Sequence, residues 1–396
     1  MPILDAAQPS TITENQAPDH PLPPATYEYL YKDVGTSHGR PFKILVASQE
    51  RPAFGDMLGM IAVATKVAAR FENAATTFYI PTDDPLLTEL LALFPYRCQV
   101  IDAMTSRGKV CLEAMNPYAC RLPIDRDGVM SPHWQDMVLA PTLLADAFFW
   151  GLGPEPLRVP EAMKPHMDQQ LVALGLDPSS WFCCTHYREP TWERKRHPNI
   201  RDCDPAVYET LVDHVIGRQG GQIVRLGHPE MTPWQPRPGF LDLSRIPRSH
   251  LLQAYAASRA RYCIGGPSGG MCLAQAFTIP TALTDVIDFW AGGHAGARVL
   301  TSTVVTPAGD RLRNQALFDS GLMNTKRLTQ VMAADPRYRI VKNTAEELAQ
   351  AADVLLESTS NCDAWRSTDA FAAEAPTNQV AWPPRCDYRH RFIEPG

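Results

Sequence analysis

Hydrophobic positions along this chain fall in short runs, and the spacing within and between the runs is regular. "KILVAS" (43–48) is an apolar run of strand length, and "GDMLGMIAVATKVAARF" (55–71) repeats its apolar residues at helical intervals. "TTFYI" (76–80) then predicts a strand, "PLLTELLALF" (85–94) a helix and "RCQVIDA" (97–103) a strand. Between 104 and 176 the pattern is mainly helical, with irregular linkers such as "GLGPEPLRVP". A second series opens at "WFCCTHY" (181–187) and continues through the helix "PAVYETLVDHVIGRQ", the strand "QIVRLG", the helix "SHLLQAYAAS" and the strand "RYCIGG". A glycine loop and a helix follow, then the strand "TALTDVI" (281–287) and a closing amphipathic helix, "TAEELAQAADVLLES" (344–358).

Strands that alternate with helices at this spacing imply βαβ units and parallel sheets. The expected fold is α/β, with two tandem Rossmann-like domains facing each other across a cleft. A polar, proline-rich arm covers 1–40, an amino-terminal domain 41–176, a carboxyl-terminal domain 177–358 and a tail 359–396. A chain of 396 residues is long enough for two such domains.

Composition narrows the function classes. With 45% apolar and 20% charged residues and a formal charge of −6, the chain reads as globular, with no basic surface for nucleic acid. The 10 cysteines are scattered, several inside apolar runs, and no C-x-x-C occurs, so neither a disulfide framework nor a structural zinc is expected. The longest apolar stretch, "MVLAPTLLADAFFWGLG", is broken by Pro141 and Asp146 and is too short for a membrane span. The first residues lack the basic and apolar regions of a signal peptide, and a cytoplasmic location is expected.

In open parallel sheets ligands bind beyond the carboxyl ends of the strands. Here those ends carry chemistry. "WFCCTHY" runs out into His186, Arg188 and Glu189; "QIVRLGH" ends in Arg225, Gly227 and His228; the next strand ends in "GGPSGG" (265–270); the fourth ends in Asp285 and Asp288. Two arginines and a side-chain-poor loop before a helix suit a diphosphate, because guanidinium forks match phosphate oxygens and backbone N–H groups at a helix start attract anions. The candidate anion cradle is Ser268, Gly269 and Gly270 with the dipole of the helix after it. The loop is neither G-x-G-x-x-G nor a P-loop. "RDCDP" (201–205) holds a D-x-D, better explained by Asp204 as an N-cap before Pro205. The proline-rich loop "GHPEMTPWQPRPGF" (227–240) reads as a surface loop, with Trp234 available to stack a base, and Arg194-Lys195-Arg196 as a solvated charge run. "FGDM" (54–57) places Asp56 at a helix start, where a carboxylate favours the helix dipole and can also take a proton from a hydroxyl.

"THYREP", "HPNIRDCD", "VRLG" and "CIGGPSGG…AFTIP", in that order, resemble a bacterial family of GT-B glycosyltransferases associated with surface-polysaccharide loci. They are more distantly similar to the GT-B fucosyltransferases that share an H-x-R strand end. The likeness covers roughly 181–288. "FGD" also looks like the first-loop Gly-Asp of heptosyltransferase-type enzymes. The resemblance implies a GT-B-like fold and a nucleoside-diphosphate sugar held by the carboxyl-terminal domain, a GDP-sugar ahead of others. Arg188 and Arg225 would hold the diphosphate, Gly227, Asp285 and the 268–270 turn would line the donor site, and His186 would lie near the sugar or phosphate. The acceptor, a glycan or small molecule, would sit on the amino-terminal domain. The resemblance fixes no base; by position the candidates are Asp56 and Glu189, and with two arginines and a helix dipole to stabilise the leaving group no metal or other cofactor is expected. Two alternatives remain: a nucleotide-sugar epimerase or hydrolase on the same fold, and a non-catalytic anion- or sugar-binding module.

Overall fold

The computed structural model describes residues 42–47, 53–69, 74–81, 89–102, 120–126, 129–135, 137–139, 157–190, 199–287, 297–359 and 365. The proline-rich arm, Arg194-Lys195-Arg196, Asp288 and most of the tail lie outside them. The chain divides into two compact units, which interleave in sequence where the hydrophobic pattern suggests one cut near 176. Unit 1 takes 1–51, 63–84 and 96–153; unit 2 takes 52–62, 85–95 and 154–396.

Unit 1 carries a four-stranded parallel sheet of β1 (Phe42–Ala47), β2 (Ala74–Ile80), β3 (Cys98–Asp102) and β6 (Met137–Leu139), in the order β3-β2-β1-β6. Ile44, Leu45 and Val46 are buried in succession, the signature of a strand covered on both faces. The mainly helical reading of 104–176 is corrected here. β4 (Cys120–Arg126) and β5 (Val129–Gln135) form an antiparallel hairpin, and β6 joins the parallel sheet. Pro123 and Pro132, register partners in that hairpin, would each break a helix, and Asp127-Gly128 between the strands is a hairpin dipeptide. Helix does occur later in the stretch, at α2 (Lys164–Ala173), which belongs to unit 2.

Unit 2 is built on a six-stranded, all-parallel sheet. Its strands are β7 (Phe182–His186), β8 (Gln222–Arg225), β9 (Phe240–Asp242), β10 (Cys263–Gly265), β11 (Thr281–Val286) and β12 (Arg298–Thr301), ordered β12-β11-β10-β7-β8-β9. Intervening helices α3 (Pro205–Gly217), α4 (His250–Arg259) and α5 (Met271–Ala276) supply the crossovers, and α8 (Ala345–Ser358) packs against α3. Local chemistry fixes where they start. Asp204 caps α3 by accepting from the Ala206 N–H at 2.9 Å, with Pro205 at the first helical position, so the second aspartate of the D-x-D is a helix cap, while the first, Asp202, accepts from Arg188 Nε and the Asn199 N–H. Thr344 and Glu347 form a capping box on α8. The core joins strand residues such as Cys183, Ile223 and Ile264 to Leu211 and Val215 of α3 and Leu348 and Leu355 of α8.

Between β12 and α8 the hydrophobic pattern had no reading, and the structure fills the gap. β13 (Thr303–Val305) pairs antiparallel with β14 (Arg311–Leu312) and β15 (Arg339–Val341), next to α6 (Gln315–Asp319) and α7 (Thr325–Ala334). This subassembly has its own small core of Ile287, Val304, Leu317, Leu322 and Leu328. In the tail, Trp365 packs edge-on against Phe182 and donates its indole N–H to Asp177 O at 2.9 Å. No helix among the described residues is long and apolar enough to cross a membrane.

Candidate functional site

The carboxyl ends of β7, β8 and β10 open onto one pocket, together with the first turn of α1 (Phe54–Ala68) and the start of α4. The first turn of α1 falls in the same compact unit. The pocket encloses about 130 Å³ and is lined by His186, Arg188, Gly227, His228, His250 and the 268–270 loop, among others. It is the place the strand-end rule predicts.

His186 is the most constrained polar group in it. The residue is 8% exposed, and its Nδ1 donates to Leu226 O at 2.9 Å. That bond assigns the tautomer: Nδ1 carries the proton and Nε2 is left as the acceptor. Burial lowers the His186 pKa from 6.5 to about 4, against the opposing pull of the Leu226 carbonyl, so the ring is neutral at pH 7. The glycine loop is shaped around this ring. A methyl group on Gly270 would stand 2.3 Å from His186 Cδ2, and one on Gly265 only 1.9 Å from His186 O.

The same loop also meets α1 backbone to backbone. A Cβ on Gly55 would lie 2.8 Å from Gly269 Cα, and one on Gly269 would lie 3.0 Å from Gly55 N. The glycines therefore admit neighbouring protein as much as any ligand. The helix after the loop adds little to an anion cradle. α5 has only six residues, and the N–H groups of Met271, Cys272 and Leu273 bond to the carbonyls of Ser268, Gly269 and Gly270 at 3.1–3.2 Å. Within the loop, Ser268 is 6% exposed and lines the pocket, and its Oγ has no hydrogen-bond partner among the described residues. Buried hydroxyls are seldom left unpaired, and Ser268 Oγ is one of several buried polar atoms in this state, here in a residue of the pocket wall.

The two arginines part company. Arg188 lines the pocket with its side chain 31% exposed, its Nε donating to Asp202 at 3.1 Å. Arg225 has no exposed surface. Its Nη2 donates to Tyr187 Oη at 2.6 Å and to Glu189 at 3.0 Å, and its Nη1 to Thr232 O at 2.6 Å; Asp242 stands 3.4 Å away. Its guanidinium lies 4.3 Å above the Trp234 ring and 5.2 Å from Tyr187. Arg225 is thus not a diphosphate ligand. The cause is register: as the partner of Asp242 on β9 and Thr185 on β7, it is still inside the sheet when its side chain leaves.

Glu189 is corrected with it. Buried to 2% exposure, it accepts from Arg225 on one oxygen and from Thr232 N (2.9 Å) and Oγ1 (2.7 Å) on the other, which leaves no role as a base. Trp234 is neither a surface residue nor a stacking platform, since Arg225 and Tyr187 cover it. Asp285 lies elsewhere. It accepts from Tyr208 Oη and the Asn343 N–H, and its own N–H bonds Asn343 Oδ1, at a φ of 57°. It ties β11 to the start of α8 and does not line the pocket. Gly227 does line it, but its N–H and C=O are both engaged by Gln253, at 2.8 and 2.9 Å.

Asp56 sits in the first turn of α1, next to the pocket-lining Phe54 and Gly55. Its side chain is exposed at the surface, yet the surrounding protein raises its carboxyl above the ordinary range, opposed by the Ala53 N–H and by Arg201. The Ala53 bond is one half of a capping box. Phe54, His250 and Gln253 also line the pocket, and no strand end carries them. The rings of Phe54 and His250 meet at 5.9 Å, and both line the pocket. His250 and Gln253 come from a helix start, which a search of strand ends does not inspect. Among the described residues no three His, Cys, Asp or Glu side chains gather in metal-binding geometry.

No family model and no curated protein matches this sequence. Among solved structures, the chain is similar to a glycosyl transferase family 9 protein from Veillonella parvula, at 12% identity, covering 82% of this chain and all of that one, with a TM-score of 0.47. The ADP-heptose LPS heptosyltransferase II of E. coli matches at 14% identity over 80% of this chain and 98% of that one, TM-score 0.40. The iron-containing dodecameric glycosyltransferase TibC of enterotoxigenic E. coli matches at 13% over 81% and 77%, TM-score 0.40. None of these overlaps reaches 0.5, and what the site does has to be read from its own residues.

Proposed function

We propose that this chain is a glycosyltransferase that moves a sugar from a nucleoside-diphosphate sugar to a hydroxyl of a glycan or small-molecule acceptor. The observation that carries the reading is a conjunction at the carboxyl edge of a parallel sheet. A partly exposed cation (Arg188), a buried hydroxyl with no partner (Ser268) and a neutral imidazole (His186) line one pocket. Departure of a nucleoside diphosphate builds charge on a phosphate oxygen. Arg188 and the Ser268 hydroxyl are donors for that oxygen, and a preorganised donor of this kind contributes about 3 kcal/mol to a transition state. His186, holding its proton on Nδ1, offers Nε2 as an acceptor to a sugar hydroxyl. With Glu189 committed to Arg225, Asp56 is the remaining candidate base, its raised carboxyl better matched to proton transfer near neutral pH than an ordinary aspartate. These groups ask for no divalent cation, and a GDP-sugar is the first donor to try.

The test is a thermal-shift series with ADP, GDP, UDP, dTDP and CDP. Binding to the native state raises the melting temperature by mass action, and Arg188→Ala should abolish the rise. If none of the five moves the wild-type melting temperature, the reading fails. Turnover of the matching sugar donor with and without acceptor, and with EDTA, then separates transfer from hydrolysis or epimerisation and tests the independence from metal.

A further inference from the structure

β7 loses its sheet partners at His186, whose last register partner is Gly265. Beyond it the chain continues as Tyr187-Arg188-Glu189, all three lining the pocket, held chiefly by side chains and by the bond from the Cys203 N–H to Arg188 O at 2.9 Å. Arg225 grips both neighbours of Arg188, Tyr187 Oη at 2.6 Å and Glu189 Oε1 at 3.0 Å, and is itself anchored on Thr232 O. Glu189 is fixed a second time through Thr232 N and Oγ1. A fully buried ion pair adds little net stability over apolar side chains of the same volume. Its distinctive capacity is to specify where a segment sits.

We propose that Arg225 is a positioning residue: with Glu189 it fixes the main chain on both sides of Arg188 and so aims the Arg188 guanidinium into the pocket. The proposal deepens the functional reading and rests on it for one point only, that Arg188 meets the ligand's phosphates. Arg225 touches no ligand. It acts through Tyr187 and Glu189.

The test compares stability with positioning in the full-length protein. Arg225→Met and Glu189→Met should each lower the melting temperature sharply, since each strands a buried charge, whereas the double variant should recover most of the loss. A purely structural pair would then be fully replaced. A positioning pair would not: the double variant should bind inorganic pyrophosphate at least tenfold more weakly than wild type by calorimetry, and its crystal structure should show Arg188 detached from Asp202. Recovery of the melting temperature with Arg188 still on Asp202 overturns the proposal. Where the double variant does not fold, Tyr187→Phe and Thr232→Val replace it. Each removes a hydrogen bond from the pair, and unaltered placement of Arg188 in both overturns the proposal equally. If the wild type binds neither pyrophosphate nor any nucleoside diphosphate, the sugar-transfer reading fails, and the crystallographic position of Arg188 still decides this one.

Discussion

Acidification is the perturbation whose consequence the structure defines most sharply. His186 is held neutral by burial, with its pKa lowered from 6.5 to about 4. The unfolded chain therefore binds a proton at this residue between those two values and the folded chain does not. Stability contributed by this residue is complete above pH 6.5 and declines as the pH falls toward 4. The full gap corresponds to about 3 kcal/mol, and from pH 7.5 to pH 5 the loss is about 2 kcal/mol. The assay is urea unfolding at both pH values for the wild type and for His186→Asn, whose amide can donate to Leu226 O as Nδ1 does but cannot titrate. The wild type should lose about 2 kcal/mol more than the variant over that interval. Equal losses in the two proteins would show that His186 titrates normally, and the neutral-acceptor role assigned to it would go with that.

Gly270→Ala should destabilise by about 1–3 kcal/mol, because the new methyl group meets the pinned His186 ring; a variant as stable as wild type in urea would contradict the close approach. Asp56→Asn should lower kcat by roughly 10²–10⁴ and leave the nucleoside-diphosphate thermal shift in place; undiminished turnover would remove Asp56 as the base. Asp285→Ala should cost about 1–3 kcal/mol by orphaning its buried partners at Tyr208 and Asn343, with no change in nucleotide affinity; weakened affinity at full stability would return Asp285 to the donor site.

Most of the parallel architecture could be read from the chain because its strands are short, continuous apolar runs, and such runs are what doubly covered strands look like. Helix caps such as Asp204-Pro205 were equally legible, their meaning being local. The hairpin at 120–135 was not. Its apolar content is sparse, and its best clues were punctuation: a proline in each strand and an Asp-Gly between them. The site shows a different limit. Strand ends locate the main chain at the right edge of the sheet, which brought His186, Arg188 and Ser268 together. They do not say where a side chain goes. Arg188 and Arg225 look alike as strand-end arginines, yet one comes after the last ladder bond and one before it. The signal that could have separated them was the company available to Arg225: Tyr187, Glu189, Trp234 and Asp242 together make an interior receptacle for a guanidinium. No single motif announces that.

The contact between Gly55 and Gly269 has a bearing on how this pocket can change. Where two main chains touch, no side chain exists to be trimmed, and every substitution adds bulk. Selection or engineering that seeks a roomier or differently shaped chamber has nothing to exchange along that seam, and variation in what is accepted must come from lining residues with no phosphate to hold, His228, His250 and Phe54. A saturation library across the pocket should accordingly return altered preferences at those three positions, loss of nucleotide binding at Arg188, and mostly misfolded protein at 55 and 269.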